Sequence, residues 1–317
     1  MVKQYFYAAL AAFFLSLILC AVLIPVLRKL KAGQNILSYV KEHKGKSGTP
    51  TMGGLAFVCA AVLVSLFFIG EDRSAAVSLA VGVGYLIVGF LDDLLKKKHK
   101  ENLGLKAWQK LAFQTLVAIF AGLYCLKAGA DRIYLPFFKK TIALGVWCLP
   151  FCVLVYLSLV NCVNLTDGLD GLAAGVSLPF FLFLAVIMAI EGESFAMVCL
   201  ALTLVGTLAA YLMFNASPAS VFMGDTGSLA LGGFAASIAV FSGNALYVPI
   251  LGIMFVLSGI TVIIQVIYYK ATGGKRVFLM APIHHHFQQK GYSESKIAYA
   301  YAVVTLVMGA LCTLSAL

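Results

Sequence analysis

The chain has 317 residues, 62% of them hydrophobic and only 11% charged, with a formal net charge of +10. A water-soluble domain carries about a quarter charged residues, so this composition and a mean hydropathy of +0.98 exclude an ordinary soluble fold and make lipid the solvent. No nucleic-acid partner is expected.

Backbone groups in hydrocarbon must be satisfied within their own segment, and the apolar runs are continuous rather than alternating, so helices are predicted. The fold class is all-α: a polytopic membrane protein of about ten transmembrane helices, one integral membrane domain over 1–317. In chain order the predicted spans are 5–27, 51–69, 75–95, 109–127, 142–160, 172–190, 195–214, 228–242, 247–269 and 297–316. The first run meets no small-residue cleavage pattern before its basic end, so it reads as a span and not a cleaved leader. Lys46 leads into a stretch of glycines and threonines, Gly48 to Gly54, with Thr51 among its possible phosphate donors; a Gly-rich helix start explains it as well. The third span ends in Asp92 and Asp93. Residues 128–141 read as a short outer loop or hairpin with no evident chemistry. The fifth span runs into NLTDGLDGLAAG, where Gly171 and Gly175 suggest close approach of a neighbouring helix. The seventh runs into SPASVFMGDTGS, which carries Asp225. Pro249 and the Ser258-Gly259 pair predict a bend in the ninth span, which is followed by Ala281-Pro282-Ile283-His284-His285-His286-Phe287.

Seventeen of the 23 basic residues fall in the loops after spans one, three and nine. The positive-inside rule therefore predicts both termini outside and those loops in the cytoplasm. The eight cysteines are scattered through apolar runs without a CxxC pair, and read as small buried hydrophobes rather than disulfides or metal ligands.

All five aspartates of interest fall on the predicted basic face. Acids at membrane depth are costly and are functional by default. Asn164, Asp167 and Asp170 recur every three residues and so share a helix face. Asp92 and Asp93 are about 100° apart on a helix, which predicts different jobs, one in the site and one bracing a lysine or the backbone. Like charges gathered in one pocket need a cation, and carboxylate oxygens suit Mg²⁺ together with substrate phosphates. The pattern predicts phosphoryl transfer, without the loop of P-loop NTPases or the kinase motifs. Three consecutive histidines point in different directions and are poorly placed to grip one ion; contact with phosphate or sugar is expected for one or two of them, and a structural role for the third.

The stretches KxGTPTMGG, GFLDD, NLTDGLDGL, FMGDTGSL and PIHHHF, in this order, resemble the polyprenyl-phosphate N-acetylhexosamine-1-phosphate transferases over essentially the whole chain. Within them the chain most resembles the bacterial phospho-N-acetylmuramoyl-pentapeptide transferase family; relatives that use UDP-GlcNAc share a different histidine loop. The resemblance implies Mg²⁺-dependent transfer from UDP-MurNAc-pentapeptide to undecaprenyl phosphate, giving lipid I and UMP for cell-wall synthesis. It implies a multi-pass protein of the bacterial inner membrane with its site facing the cytoplasm, and leaves a homodimer open. By motif, Asp225 should bind Mg²⁺, with Asp167 and Asn164 by the pyrophosphate and metal. Asp92 should lie by the lipid phosphate, with Asp93 supporting a lysine or the metal shell, and Asp170 by the uridine end. Phe222 and Asn215 are implied near uracil, and Lys46, Lys100 and Lys110 at phosphate or uridine. Gln265 and Ala281 should line the sugar-peptide region with His284, His285 and His286, of which His284 is the candidate for catalysis. A bent ninth span would open a groove for the prenyl chain. The rival reading from another class is a secondary transporter, which predicts acids near the bilayer midplane and two similar halves; neither is evident.

Overall fold

The computed structural model describes residues 2–30, 48–99 and 104–317. Lys46 and Lys100 lie outside these described residues. The helices are α1 (Val2–Lys29), α2 (Gly54–Ser65), α3 (Arg73–His99), α4 (Ala107–Ala128), α5 (Cys148–Thr166), α6 (Leu172–Glu191), α7 (Phe195–Asn215), α8 (Gly224–Phe241), α9 (Val248–Leu251), α10 (Ile253–Ala271), α11 (Ile283–Gln289) and α12 (Glu294–Ala316). Among the described residues nine helices are long and apolar enough to cross a membrane. The chain is an all-α, multi-pass membrane protein.

The second predicted segment is where sequence and structure part. Residues 51–69 were expected to span, yet α2 covers only 12 residues, about 18 Å at 1.5 Å per residue against roughly 30 Å of hydrocarbon. Its shortness lets its N-terminus end inside the bundle, against the start of α8. The Gly53 and Gly54 amides donate to the Phe222 and Met223 carbonyls at 2.9 and 3.1 Å. A Cβ on Gly54 would collide with the backbone of Gly227. Close approach therefore accounts for glycine at Gly54.

Helix α8 is the axis of the fold. Every residue from Thr226 to Phe241 is buried, and a helix apolar all round belongs in an interior. Glycines, alanines and serines make it thin enough for α3 and α5 to pack directly on it. Its contact with α3 is tightest at Gly89, where a Cβ would run into the Asp225 carbonyl. The outer helices turn their large apolar residues outward. On α1, Phe6, Leu10, Phe14, Ile18 and Val22 recur every four residues and are exposed, while Ala8, Ala12 and Ser16 face the bundle. An exposed apolar stripe of this length suits lipid.

Three further expectations change. The sequence predicts the fifth span at 142–160, but α5 starts at Cys148 because residues 132–143 fold as a two-stranded antiparallel hairpin, β1 (Arg132–Leu135) and β2 (Lys140–Ala143), with Arg132 opposite Ala143. The hairpin docks below α8 through a 2.8 Å bond from the Tyr134 amide to the Gly243 carbonyl. The ninth span is interrupted as expected, but at Gly252, three residues after Pro249 and between α9 and α10, and not at Ser258-Gly259, which lies within α10 with Gly259 packed on Cys162. Gly175 is not a close-approach site, since a Cβ there meets nothing within 4 Å; Gly171 is needed instead for its left-handed φ of +72°.

These two environments separate by measurement. Gly89→Ala should cost about 1–3 kcal/mol, because backbone and not a flexible side chain blocks the new methyl. Gly175→Ala should stay within about 1 kcal/mol of the wild type, on the stabilising side, because Ala outranks Gly within a helix. Thermal unfolding in detergent reads both; equal losses would contradict the packing described.

Candidate active site

The acids gather at one end of the bundle because the sequence puts them where helices start and stop. Asp92 and Asp93 lie in the last turns of α3, Asp167 just beyond α5, and Asp225 in the first turn of α8. The two neighbours on α3 diverge. Asp93, 2% exposed, reaches the start of α8, where its Oδ2 accepts from the Thr226 amide at 2.9 Å and the Thr226 hydroxyl at 2.6 Å. A carboxylate at a helix N-terminus satisfies orphan donors and complements the helix dipole. This cap comes from another helix, so it also fixes where α8 begins.

Asp92 faces the other way. Its Oδ1 accepts from the Leu105 amide at 2.6 Å, and its Oδ2 pairs with Lys96 Nζ at 2.7 Å. Lys96 also lies 2.8 Å from Asp225 Oδ2 and 3.9 Å from Asp93 Oδ1. Lys110 pairs with the same Asp225 oxygen at 2.6 Å and stands 3.8 Å from Asp92 Oδ2. The free side of Asp225 is taken by Asn164, whose Nδ2 donates to Oδ1 at 2.9 Å and to Ser228 Oγ at 2.8 Å. Asp92, Asp225, Asn164, Lys96 and Lys110 thus form one connected group.

Asp167 stands beside this group without joining it. Its carboxylate makes no hydrogen bond or ion pair with the described residues. Burial first, and then the charges of Asp225, Asp93 and Asp170, push its pKa up to about 8, against the opposing charge of Lys96. The other orphan here is Thr51: its hydroxyl is buried without a partner among the described residues, and a Cβ on Gly224 would come within 2.7 Å of it. Hard oxygen donors with unmet demand for positive charge fit Mg²⁺, which commonly takes one or two carboxylates plus phosphate oxygens and water.

The remaining candidates support loops. Asp170 accepts from the Ala219 amide at 3.0 Å, and Asn215 donates to the Val221 carbonyl at 2.9 Å, so both hold the 216–223 turn that leads into Asp225. Phe222 pairs through its backbone with Pro50 and Gly53. His284 is fully buried with neither ring nitrogen bonded among the described residues; burial, then neighbouring His285, lower its pKa to about 3. It packs on Gly168, where a Cβ would collide with its Nε2, so the histidine loop rests on the turn that carries Asp167. His285 Nδ1 meets Gln288 Oε1 at 3.0 Å, and His286 Nδ1 accepts from the Leu279 amide at 3.1 Å. Gln265 spends its amide on the backbone of Val277 and Phe278. With Ala281 it lines a cavity of 710 Å³ on α10 that no aspartate reaches.

Lys96 and Glu294 were not singled out from the sequence. The i,i+4 spacing of Asp92 and Lys96 is a signal for the first. Glu294 accepts from the Asp170 amide at 3.0 Å and from Gln288 Nε2 at 3.3 Å, tying α12 to both loops; nothing local announces it.

Residues 75–243 match the model of glycosyl transferase family 4, a stretch that holds all five aspartates, and residues 46–58 match signature 1 of phospho-N-acetylmuramoyl-pentapeptide-transferases. The chain is 43% identical to the phospho-N-acetylmuramoyl-pentapeptide-transferase of Caldanaerobacter subterraneus subsp. tengcongensis, over 97% of each chain. It is 44% identical to the enzyme of that name from Thermoanaerobacter sp., over 97% of each chain, and 44% identical to that of Clostridium perfringens (strain 13), over 95% of each.

The raised pKa of Asp167 has a consequence for stability. The folded chain keeps a proton there that the unfolded chain, with a carboxyl near 3.9, has already lost. Folded protein then binds more protons than unfolded, so this group's contribution is fully present below about pH 4 and disappears as pH rises through about 8. In Mg²⁺-free detergent solution, Asp167→Asn should gain thermal stability relative to wild type between pH 5 and 8, by a margin that widens with pH. A constant difference would contradict the assignment.

Proposed function

The chain belongs to the phospho-N-acetylmuramoyl-pentapeptide-transferase family, and from that premise we propose that it moves phospho-MurNAc-pentapeptide from UDP-MurNAc-pentapeptide to undecaprenyl phosphate, releasing UMP and forming lipid I. The observation that carries this reading is the convergence of Asp92, Asp225, Lys96 and Lys110 within ion-pair distance at one end of a membrane bundle. A water-soluble pyrophosphate and a lipid phosphate can meet only there, where polar groups border lipid. Seventeen of the 23 basic residues lie in the loops of that side, which supports a cytoplasmic site in a bacterial inner membrane.

The reaction needs charge control more than acid–base catalysis. A phosphate monoester has its second pKa near 6, so the lipid phosphate is already a largely ionised nucleophile at neutral pH. Its oxygen attacks the sugar-linked phosphorus, the bond from that phosphorus to the bridging oxygen breaks, and UMP departs as the dianion; charge balances without a proton. Lys96 and Lys110 face the phosphates and offset the repulsion between two anions, the electrostatic contribution that dominates phosphoryl transfer. Asp92, held by the Leu105 amide, keeps Lys96 aimed and orients the incoming phosphate. Asp93 acts through α8 and is a positioning residue.

Asp225 and Asp167 would hold Mg²⁺. When bound, the ion would screen the pyrophosphate charge and the departing UMP oxygen. The carboxylate of Asp167, without a hydrogen bond or ion pair among the described residues, and the surplus of acids over lysines support this choice. Asn164 fixes the rotamer of Asp225, and the Asp170 and Asn215 contacts set the turn ahead of it.

The decisive assay is UMP release from UDP-MurNAc-pentapeptide with undecaprenyl phosphate in detergent. Activity is expected with Mg²⁺ and not with excess chelator, and Asp225→Asn should lower it by about 10²–10³-fold. Turnover of UDP-GlcNAc in place of UDP-MurNAc-pentapeptide would overturn the substrate assignment. A phosphorylated aspartate trapped with the UDP substrate alone would overturn direct displacement.

A further inference from the structure

Three cysteine sulfurs meet at the end of the bundle opposite the acids. Cys125 stands in the last turns of α4, Cys148 opens α5, and Cys152 follows one turn later. The two helices touch closely here: a Cβ on Gly122 would lie 2.7 Å from Leu149 Cδ1 and 3.3 Å from Cys152 Cβ. The three Sγ atoms all lie within 4.8 Å of one another, with Cys148 and Cys152 at 3.8 Å. Each of the three residues is at most 1% exposed. No other group of three metal-ligating side chains converges so closely among the described residues, and Cys20, Cys59, Cys162, Cys199 and Cys312 take no part in one.

Packing alone accounts for a single buried cysteine, which behaves as a small hydrophobe. It gives no reason for three sulfurs from two helices to share one space. Metal–thiolate bonds of about 2.3 Å around a single trigonal ion place the sulfurs about 4 Å apart, close to the 3.8 Å between Cys148 and Cys152 and within the 4.8 Å bound on all three. Thiolates select soft ions such as Cu⁺ and Zn²⁺ and discriminate against Mg²⁺, so this donor set is chemically distinct from the aspartate site. Access is short: Cys125 Sγ donates to the Ala130 carbonyl at 2.6 Å, and Ala130 also lines a cavity of 480 Å³ with Arg132, Glu191 and Glu193.

We propose that Cys125, Cys148 and Cys152 form a binding site for one soft d¹⁰ cation of the Cu⁺ or Zn²⁺ class, which ties the end of α4 to the start of α5 across the β-hairpin. Each thiol that ligates loses its proton to solvent as the metal–sulfur bond forms, and no atom changes oxidation state. Ligation by Cys125 gives up its hydrogen bond to Ala130. The role is structural, since Cys148 and Cys152 lie at the start of α5 and Asp167 just beyond its end, so the two sites stand about one helix length apart.

The test uses the full-length protein in detergent, reduced with a phosphine, stripped by chelator, and titrated separately with Cu⁺ under argon and with Zn²⁺. Metal kept after desalting is counted by mass spectrometry. The wild type should keep one more equivalent per chain than the Cys148→Ser, Cys152→Ser double variant, in one of the two arms, and the arm that saturates identifies the ion. Cys59→Ser, an exposed cysteine, should keep the full amount. Each single variant at the three positions that elutes as a monodisperse species should lose the extra equivalent too, which separates ligation from misfolding. The ion should also raise the melting temperature of the wild type and not of the variants. Equal metal retention by wild type and variants in both arms, or the same loss in Cys59→Ser, overturns the proposal.

Discussion

The arrangement rests on one contact, the Asp93 carboxylate at the N-terminus of α8. It joins the end of α3 to the start of the most buried helix, and places Asp225 in that helix's first turn. Everything at the polar end is then fixed relative to that turn. Lys96 and Lys110 converge on one Asp225 oxygen while Asn164 takes the other. The four acids Asp92, Asp93, Asp167 and Asp225 exceed the two lysines by two negative charges when all are ionised. In a partly desolvated place this surplus is costly, and it is relieved by holding a proton on Asp167 or by accepting a cation. A single electrostatic imbalance thus links stability and pH response, and it is the ground for the proposed Mg²⁺ site.

That contact is possible only because α8 is thin. Gly89 lets α3 touch its backbone, and Gly54 lets the short α2 end against Gly227. A lipid-soluble bundle has little hydrophobic drive between its helices, so close backbone approach and buried polar pairs supply association instead. Tyr156 to Ser237 at 3.0 Å and Asn161 to Gln114 at 2.8 Å are such pairs, deep between α5, α8 and α4. Rigidity built this way reaches the site, where side chains must hold to fractions of an ångström.

Much of the fold was legible in the sequence because hydropathy and helix length follow directly from the solvent. Nine of ten spans appear as long apolar helices, while α2 escaped because turn residues on both sides of an apolar core of 12 residues were counted with it. The acids were legible as a set, since charges beside apolar runs stand out. Their partners were less so. Lys96 looked like one more topology-setting lysine, and its pairing with Asp225 joins residues 129 positions apart. Glu294 and the cysteine group depend on how separate helices meet, which no local pattern encodes. Gln265 and Ala281 share a cavity whose described lining holds no aspartate, because α10 turns that face toward the 272–282 loop.

Lys96 and Asp225, 2.8 Å apart, are bound to act as one charge unit. A double-mutant cycle of Lys96→Met and Asp225→Asn on UMP release tests it most directly. Strong coupling is expected, with the double variant no slower than the worse single variant, because either change already breaks the unit. Independent losses that multiply in the double variant would contradict it.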